Sequence, residues 1–190
     1  MIDLSDREIS AEIIKRCRLG DREAFRALYD AYKDRVYSIA LYFFHGDHLV
    51  AGDVTQQVFL KLMTSIGQFR GDAAFSTWLY RLVVNACLDV SRRRSADAAV
   101  AAQAPLEPIA GTSSQEDAYA RAQIASSVRA AVSTLPPKFR IAVLLRYFDD
   151  LSYEQMADAL GCSMGTVASR LSRGHKMLAE RLRHVTSSRG

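Results

Sequence analysis

The chain has 190 residues, of which 49% are hydrophobic and 24% charged, with a formal net charge of +4. That balance is ordinary for a globular protein of one domain or two small ones. Cys17, Cys87 and Cys162 are scattered and odd in number, which argues against a disulfide scaffold and for a reducing cytoplasm. Met1–Arg22 carries too much charge for a signal peptide, and no apolar run reaches the roughly 18 residues needed to cross a bilayer.

Leu4 to Leu19 reads as a short amphipathic helix with Ile9, Ile13 and Ile14 on one side. Gly20 breaks it, and Asp21 can cap a second helix. In that helix Phe25, Leu28, Tyr29, Tyr32, Val36, Ile39, Ala40 and Phe43 keep helical spacing. His45 and His48 form the only close histidine pair, with no cysteine nearby. A solvated helix end is the simpler reading there than a zinc site.

The next helix, Asp53–Ile66, carries a stripe of Val54, Val58, Leu62 and Ile66, with Phe59, Leu60 and Met63 extending apolar surface around it. A helix greasy on more than one side is central in a core or also meets a partner; periodicity favours the core. Phe69–Asp72 has turn chemistry. A helix follows that buries Phe75, Trp78, Leu79, Leu82, Val83 and Ala86, with Arg81, Asn85 and Arg92 sharing the opposite face. Aromatic rings beside cations and an amide suit unpaired bases, which need stacking and backbone neutralisation. Core packing for Phe75 and Trp78, and a dipole-favoured basic helix end at Arg92–Arg94, account for the same residues.

From Ser95 to Ser114 alanine, proline, glycine and serine dominate without an apolar period, which reads as a flexible tether. Pro105, Pro108 and Gly111 limit any helix there. Ser114 with Asp117 is a capping-box signal, and Ile124, Val128, Ala131 and Leu135 make the next stripe. After Pro136-Pro137, the residues Phe139, Ala142, Val143 and Tyr147 are expected to face inward.

Leu151–Leu182 reads as two helices across a tight turn. Ser152 and Gln155 form a capping box, Gly161 ends the first helix and Ser163 caps the second. Met156, Ala157 and Leu160 share one face, and Val167, Leu171, Met177, Leu178 and Leu182 continue an inward stripe. Ala157, Gly161 and Val167 have helix-turn-helix spacing. The outward face offers Thr166, Ser169, Arg170, Ser172, Arg173 and Lys176, donors suited to base edges and phosphates. From Ser163 to Gly190 only Glu180 opposes the cations, so the local field favours a polyanion. A helical hairpin with a solvated basic face is the plain alternative.

Two stretches together resemble the extracytoplasmic-function (ECF) sigma factors of bacteria. They are DVTQQVFLKLM at Asp53–Met63 with FRGDAAFSTWLYRLVVN at Phe69–Asn85, and Leu135–Leu182, with matching order, spacing and tether. The resemblance implies an all-α chain of two small helical domains: a sigma-two domain in residues 1–95, a linker at 96–114, and a sigma-four helix-turn-helix domain at 115–190. Asp53, Gln56, Gln57, Phe59, Leu60 and Met63 match positions that contact the clamp helices of the largest polymerase subunit, which moves that helix from pure core to partner surface. Gln57 stands where a glutamate is usual. Phe69 and Asn85 match positions that hold a base flipped from the −10 strand; extrusion needs stacking and edge hydrogen bonds in return. Arg70, Arg81, Arg92 and Arg93 belong to the same −10 set. Thr166, Ala168, Ser169, Arg170, Ser172, Arg173 and Lys176 form the −35 set, with Ala168 in place of a frequent arginine or lysine.

The implied partners are core RNA polymerase (clamp helices and the flap of the second-largest subunit), promoter DNA both duplex and single-stranded, and an anti-sigma protein. No cofactor, metal, catalytic residue or membrane insertion is implied, and the location is the bacterial cytoplasm. A self-sufficient regulator that senses a ligand or dimerises is the runner-up, but no spare apolar stripe near the C-terminus serves to pair two helix-turn-helix units. An enzyme has least support, because no phosphate loop and no nucleophile or paired-carboxylate constellation is present.

Overall fold

The computed structural model describes residues 10–100 and 127–187, with side chains over 10–96 and 127–183. The order is α1 (Ala11–Arg18), α2 (Arg22–Phe43), α3 (His48–Ser65), a short 3-10 turn (Ile66–Gln68), α4 (Phe75–Val100), a helical stretch at 127–133, α5 (Pro137–Phe148), α6 (Tyr153–Leu160) and α7 (Met164–Ser187). Ile9, the prolines of the expected tether, the Ser114–Asp117 cap and Ile124 lie outside the described residues.

Local chemistry sets the helix ends. Gly20 adopts φ +81, a conformation that a side chain would strain. Asp21 then accepts from the Glu23 and Ala24 amides at 2.9 and 3.2 Å and pairs with Arg16. Asp47 caps α3 through the Val50 amide at 3.1 Å, so that helix starts at His48 rather than Asp53. The Ser152–Gln155 capping box is complete, with both reciprocal bonds made, and Gly161 closes α6 at φ 60. Arg140 and Leu135 mark the joint where the second half begins.

Leu28, Val36, Ile39 and Phe43 of α2, Val54, Val58 and Leu62 of α3, and Leu79 and Val83 of α4 are fully buried. Ile141, Leu144, Leu145, Met156, Val167 and Leu171 do the same in the second half, and all belong to one continuous core. Each such side chain contributes roughly 1.5–3 kcal/mol by leaving water. The halves meet where α5 packs on α2 and α6 on α4.

Two polar contacts cross this joint. The Arg140 guanidinium donates to the Phe43 carbonyl at 2.7 Å, at the C-terminal end of α2, and lies 3.2 Å from His45 Nε2. Its other nitrogen donates to the Ser133 and Leu135 carbonyls, both at 2.7 Å. Burial lowers Arg140 to about 10, so it remains a cation at neutral pH. The second contact is Asp149, whose buried carboxylate receives the Tyr80 hydroxyl at 2.8 Å and the Arg35 guanidinium at 2.5 Å. Beside it Tyr42 and Phe148 pack ring to ring at 4.6 Å.

Several sequence expectations are corrected. Tyr147 is 67% exposed; it points away from the core and packs on His175, with a 3.0 Å hydrogen bond. Val128 is also exposed, and Tyr29 covers Phe59 from the surface rather than entering the core. Helix α4 continues to Val100, past Ser95 where the apolar period ends; a run rich in alanine has the propensity to extend a helix already nucleated.

Gly174 sits buried where α7 crosses α5, and a Cβ there would stand 3.0 Å from Val143 Cγ2 and 3.7 Å from Phe139 Cβ. Gly174→Leu should therefore cost about 1–3 kcal/mol through overpacking, read as a lower urea midpoint. His45 lies on the surface, and partial desolvation on its Arg140 side, with the Arg140 and Arg94 cations nearby, holds it below its ordinary 6.5. Folding thus keeps this ring neutral: the stability it confers is full above the unfolded value and lost as pH falls toward the folded one. His45→Asn, which tolerates the residue's φ of 62, should flatten the stability loss as pH falls below about 6.5, measured by urea titrations at each pH.

Candidate nucleic-acid and partner interfaces

Helix α7 presents the first surface. Ser163 accepts from the Thr166 amide at 3.3 Å and its hydroxyl meets that of Thr166 at 3.0 Å, which fixes the helix entry. Val167 and Leu171 face the core, so Ala168, Ser169, Ser172, Arg173 and Lys176 are turned out to solvent, while Thr166 and Arg170 are half-buried at the edge. Ser169 hydrogen-bonds back to the Thr166 carbonyl. Among the described residues no ion pair engages Arg170, Arg173 or Lys176. A cationic row without internal partners is available to neutralise phosphates.

The second surface surrounds the start of α4. Phe69 packs edge-on against Phe75 at 5.4 Å and lies 5.6 Å from Trp78, and Tyr32 supports Phe75 at 5.8 Å from beneath. Phe69 and Trp78 are half-buried, so each keeps part of a ring for a ligand. Beside them opens a cup of about 750 Å³ lined by Arg18, Gly67, Gln68, Phe69 and Arg70. Arg81, Asn85, Arg92 and Arg93 are exposed farther along α4. Asn85 stands two turns beyond Trp78 and is not among the residues lining the cup. Arg92 is held by Asp89 on its own helix, and Arg94 reaches Asp47 at 3.0 Å. Sequence reading missed Arg18 and Gln68. Arg18 enters because α1 packs on the Ile66–Gln68 turn, a contact with no local sequence signal.

The third surface is the outer face of α3. Asp53, Gln56 and Gln57 are exposed, with Leu60 at 56% and Met63 at 54%. Phe59 differs from the rest of its set: it is only 8% exposed, with its ring edge-on to Tyr29 at 4.7 Å. Leu49, 83% exposed, extends the face upstream at helical spacing from Asp53 and Gln56. That position was legible as an i, i+4, i+7 continuation, but a helix start placed at Asp53 left it out.

Burial raises the Cys87 thiol to about 12 and also raises Cys17, so neither is a thiolate near neutral pH. Among the described residues no group of three or more histidine, cysteine, aspartate or glutamate side chains converges as a metal site. None of the helices there is long and apolar enough to cross a membrane.

Two family profiles match the chain in order: sigma-70 region 2 over residues 28–97 and sigma-70 region 4 over residues 125–178. The chain is 34% identical over 183 residues to the RNA polymerase sigma-H factor of Pseudomonas aeruginosa, covering 92% of this chain and 94% of that one. It is 32% identical over 185 residues to the ECF RNA polymerase sigma factor SigW of Bacillus subtilis, covering 90% and 96%. In fold it is similar to the sigma factor RpoE of Bartonella quintana, solved in complex with the anti-sigma factor NepR, with a TM-score of 0.68, 23% identity, and 84% and 96% of the two chains covered. With both regions present in sequence order and curated members aligned along nearly its whole length, the chain belongs to the ECF RNA polymerase sigma factors.

Proposed function

We propose that this chain binds core RNA polymerase through the outer face of α3 and directs initiation at promoters that it reads with both halves. Leu60 and Met63, flanked by Leu49, Asp53, Gln56 and Gln57, form the clamp-facing stripe; Phe59 shapes it from beneath. The α7 face from Thr166 to Lys176 enters the major groove at the −35 element, with Arg170, Arg173 and Lys176 on phosphates or base edges and Ala168 leaving one contact unmade. Phe69, with Arg70, Arg81, Asn85, Arg92 and Arg93 along α4, holds the melted −10 strand, and the cup beside Phe69 receives an extruded base. The working division is residues 1–95 for polymerase and −10, 96–114 as connector and 115–190 for −35. The observation that carries this reading is that each half keeps its own uncovered recognition face while the halves pack on each other: apolar on α3, cationic on α7.

Sigma factors are initiation factors, and this reading assigns the chain no catalytic step and a place beside polymerase in the cytoplasm. An anti-sigma protein is a fitting regulator, because the RpoE structure of similar fold was solved with one.

Leu60→Asp with Met63→Asp should weaken binding to core polymerase at least about tenfold, since each lost apolar anchor is worth roughly 1.5–3 kcal/mol, and should abolish run-off transcription with core enzyme. Unchanged binding would remove α3 from the interface. Arg173→Ala should weaken −35 duplex binding and reduce the slope of log affinity against log salt by about 0.9, measured by fluorescence anisotropy across a salt series. An unaltered slope would take Arg173 off the DNA.

A further inference from the structure

Tyr147 and His175 form an exposed aromatic pair outside the three recognition surfaces. Helix α5 crosses α7 closely at Gly174, where a side chain would press on Val143 and Phe139. Phe139, Val143 and Tyr147 follow at four-residue steps, so they lie along one ridge of α5. The first two are buried, and the ridge emerges from under α7 at Tyr147, which is 67% exposed. There its ring meets that of His175, the residue after Gly174, edge-on at 5.6 Å, with the hydroxyl 3.0 Å from Nε2. We propose that Tyr147 and His175 together hold a phosphate of the −35 duplex, on the strand opposite the one that Arg170 and Arg173 meet. The proposal rests on the function proposed above and adds a second row of contacts to its α7 face.

The periodicity of α7 supplies the first reason. A helix is about 10–12 Å across and the major groove about 12 Å wide, so a helix lying in it meets the phosphates of both strands along its two flanks. Thr166, Arg170 and Arg173 fall at i, i+4 and i+7 and form one flank. Ala168, Ser172 and His175 repeat that spacing and form the other. Ser169 and Lys176 lie between the two rows, toward the groove floor. The first flank carries guanidinium groups, whereas the second begins with a methyl and a hydroxyl, all of it exposed. His175 stands about 10 Å beyond Ala168 along the axis, at 1.5 Å per residue. Reach toward that wall of the groove therefore comes from His175 and the tyrosine beside it.

The chemistry of the pair is the second reason. A neutral imidazole carries its proton on one nitrogen. When the Tyr147 hydroxyl donates to Nε2, that proton sits on Nδ1, which is the donor left over. When Nε2 instead donates to the hydroxyl oxygen, the phenol O–H is the donor left over. In both arrangements the pair keeps one donor to spare, and a phosphate oxygen accepts it. Among the described residues the ring nitrogens and the hydroxyl hydrogen-bond only to each other. The ring contact and the bond hold both side chains before DNA arrives, which lessens the entropy lost on binding. A tyrosine this exposed gains little from burial, so packing accounts for little of what the pair does.

Placement on the flank selects backbone over bases. Base edges line the groove floor, which Ser169 and Lys176 face, whereas a group on the side of the helix meets the wall. Arg173 and His175 stand on either side of Gly174 in sequence, roughly 200° apart around the axis at 3.6 residues per turn. They address opposite walls, and the close crossing at Gly174 fixes both.

Holoenzyme assembled from the full chain and core polymerase tests the pair, on a promoter fragment recovered by run-off transcription from a random library. Single phosphates across the −35 element are replaced, one at a time on either strand, by neutral methylphosphonates. Binding is then measured for the native chain, His175→Ala, Tyr147→Phe and Arg173→Ala. We expect His175→Ala to weaken binding at least about threefold, through loss of a hydrogen bond to a charged group. Tyr147→Phe, which keeps the ring and loses the hydroxyl, should weaken it in the same direction. Both should erase the methylphosphonate penalty at the same position on one strand, and Arg173→Ala should do so on the other strand, because only groups in contact couple in this way. Binding unchanged by His175→Ala, a loss that simply adds to every methylphosphonate penalty, coupling on the strand that Arg173→Ala marks, or a Tyr147→Phe chain that matches the native one would each overturn the proposal. Promoter-specific transcription by the native holoenzyme alongside any of these would leave the proposed function standing, whereas its absence would remove that function and this contact with it.

Discussion

A buried arginine carries the joint on which the arrangement of this molecule depends. Arg140 lies within the core, and an unpaired cation there would cost several kcal/mol. Backbone carbonyls from two places offset that cost: Ser133 and Leu135 close the turn ahead of α5, and Phe43 offers the carbonyl end of α2. Helix ends of that polarity favour a positive charge. The Phe43 ring also lies 5.3 Å from the guanidinium, so the same residue supplies both an oxygen and a π face. This side chain anchors the start of α5 on the end of α2, and the shared core and the Asp149 contacts complete the joint.

Around that joint the molecule separates its surfaces by chemistry. The α3 face is apolar at Leu49, Leu60 and Met63, with exposed Asp53 and Lys61 among them, a mixture that a protein partner's binding face can carry. The α7 face is cationic with short hydroxyl side chains between its arginines, as a groove requires. The α4 region mixes aromatic faces with guanidinium groups, suited to unstacked bases. These faces do not compete, because the residues opposite each of them are committed to the shared core.

The interiors of the two halves run into each other as one continuous apolar core, with polar contacts set at the edges of their joint. Within the halves, fully buried aliphatic residues interlock along α2, α3 and α4 and along α5, α6 and α7. Between them stand a one-sided carboxylate, a partly exposed arginine and a tyrosine whose ionisation burial strongly disfavours.

By itself the sequence determined most of the local structure, because helix signals are short-ranged. The Ser152–Gln155 box, Gly161, the Ser163 cap, Asp21 after Gly20, and the apolar stripes of α2 and α7 all act within a few residues. Two motif groups in fixed order were enough to point to the family. The −35 face was legible for the same reason: once Val167 and Leu171 are inward, the opposite side of α7 is known. Only the tertiary structure decided the fate of residues whose partners lie far along the chain. Phe59 is buried because Tyr29, thirty positions away, covers it. Tyr147 turns outward to meet His175, Arg18 joins the Phe69 cup through the packing of α1, and Asp149 finds Arg35 and Tyr80. Periodicity says which side of a helix is apolar, but not which other helix will cover it; that choice is made by long-range packing, and here it joins two halves that a motif reading keeps apart.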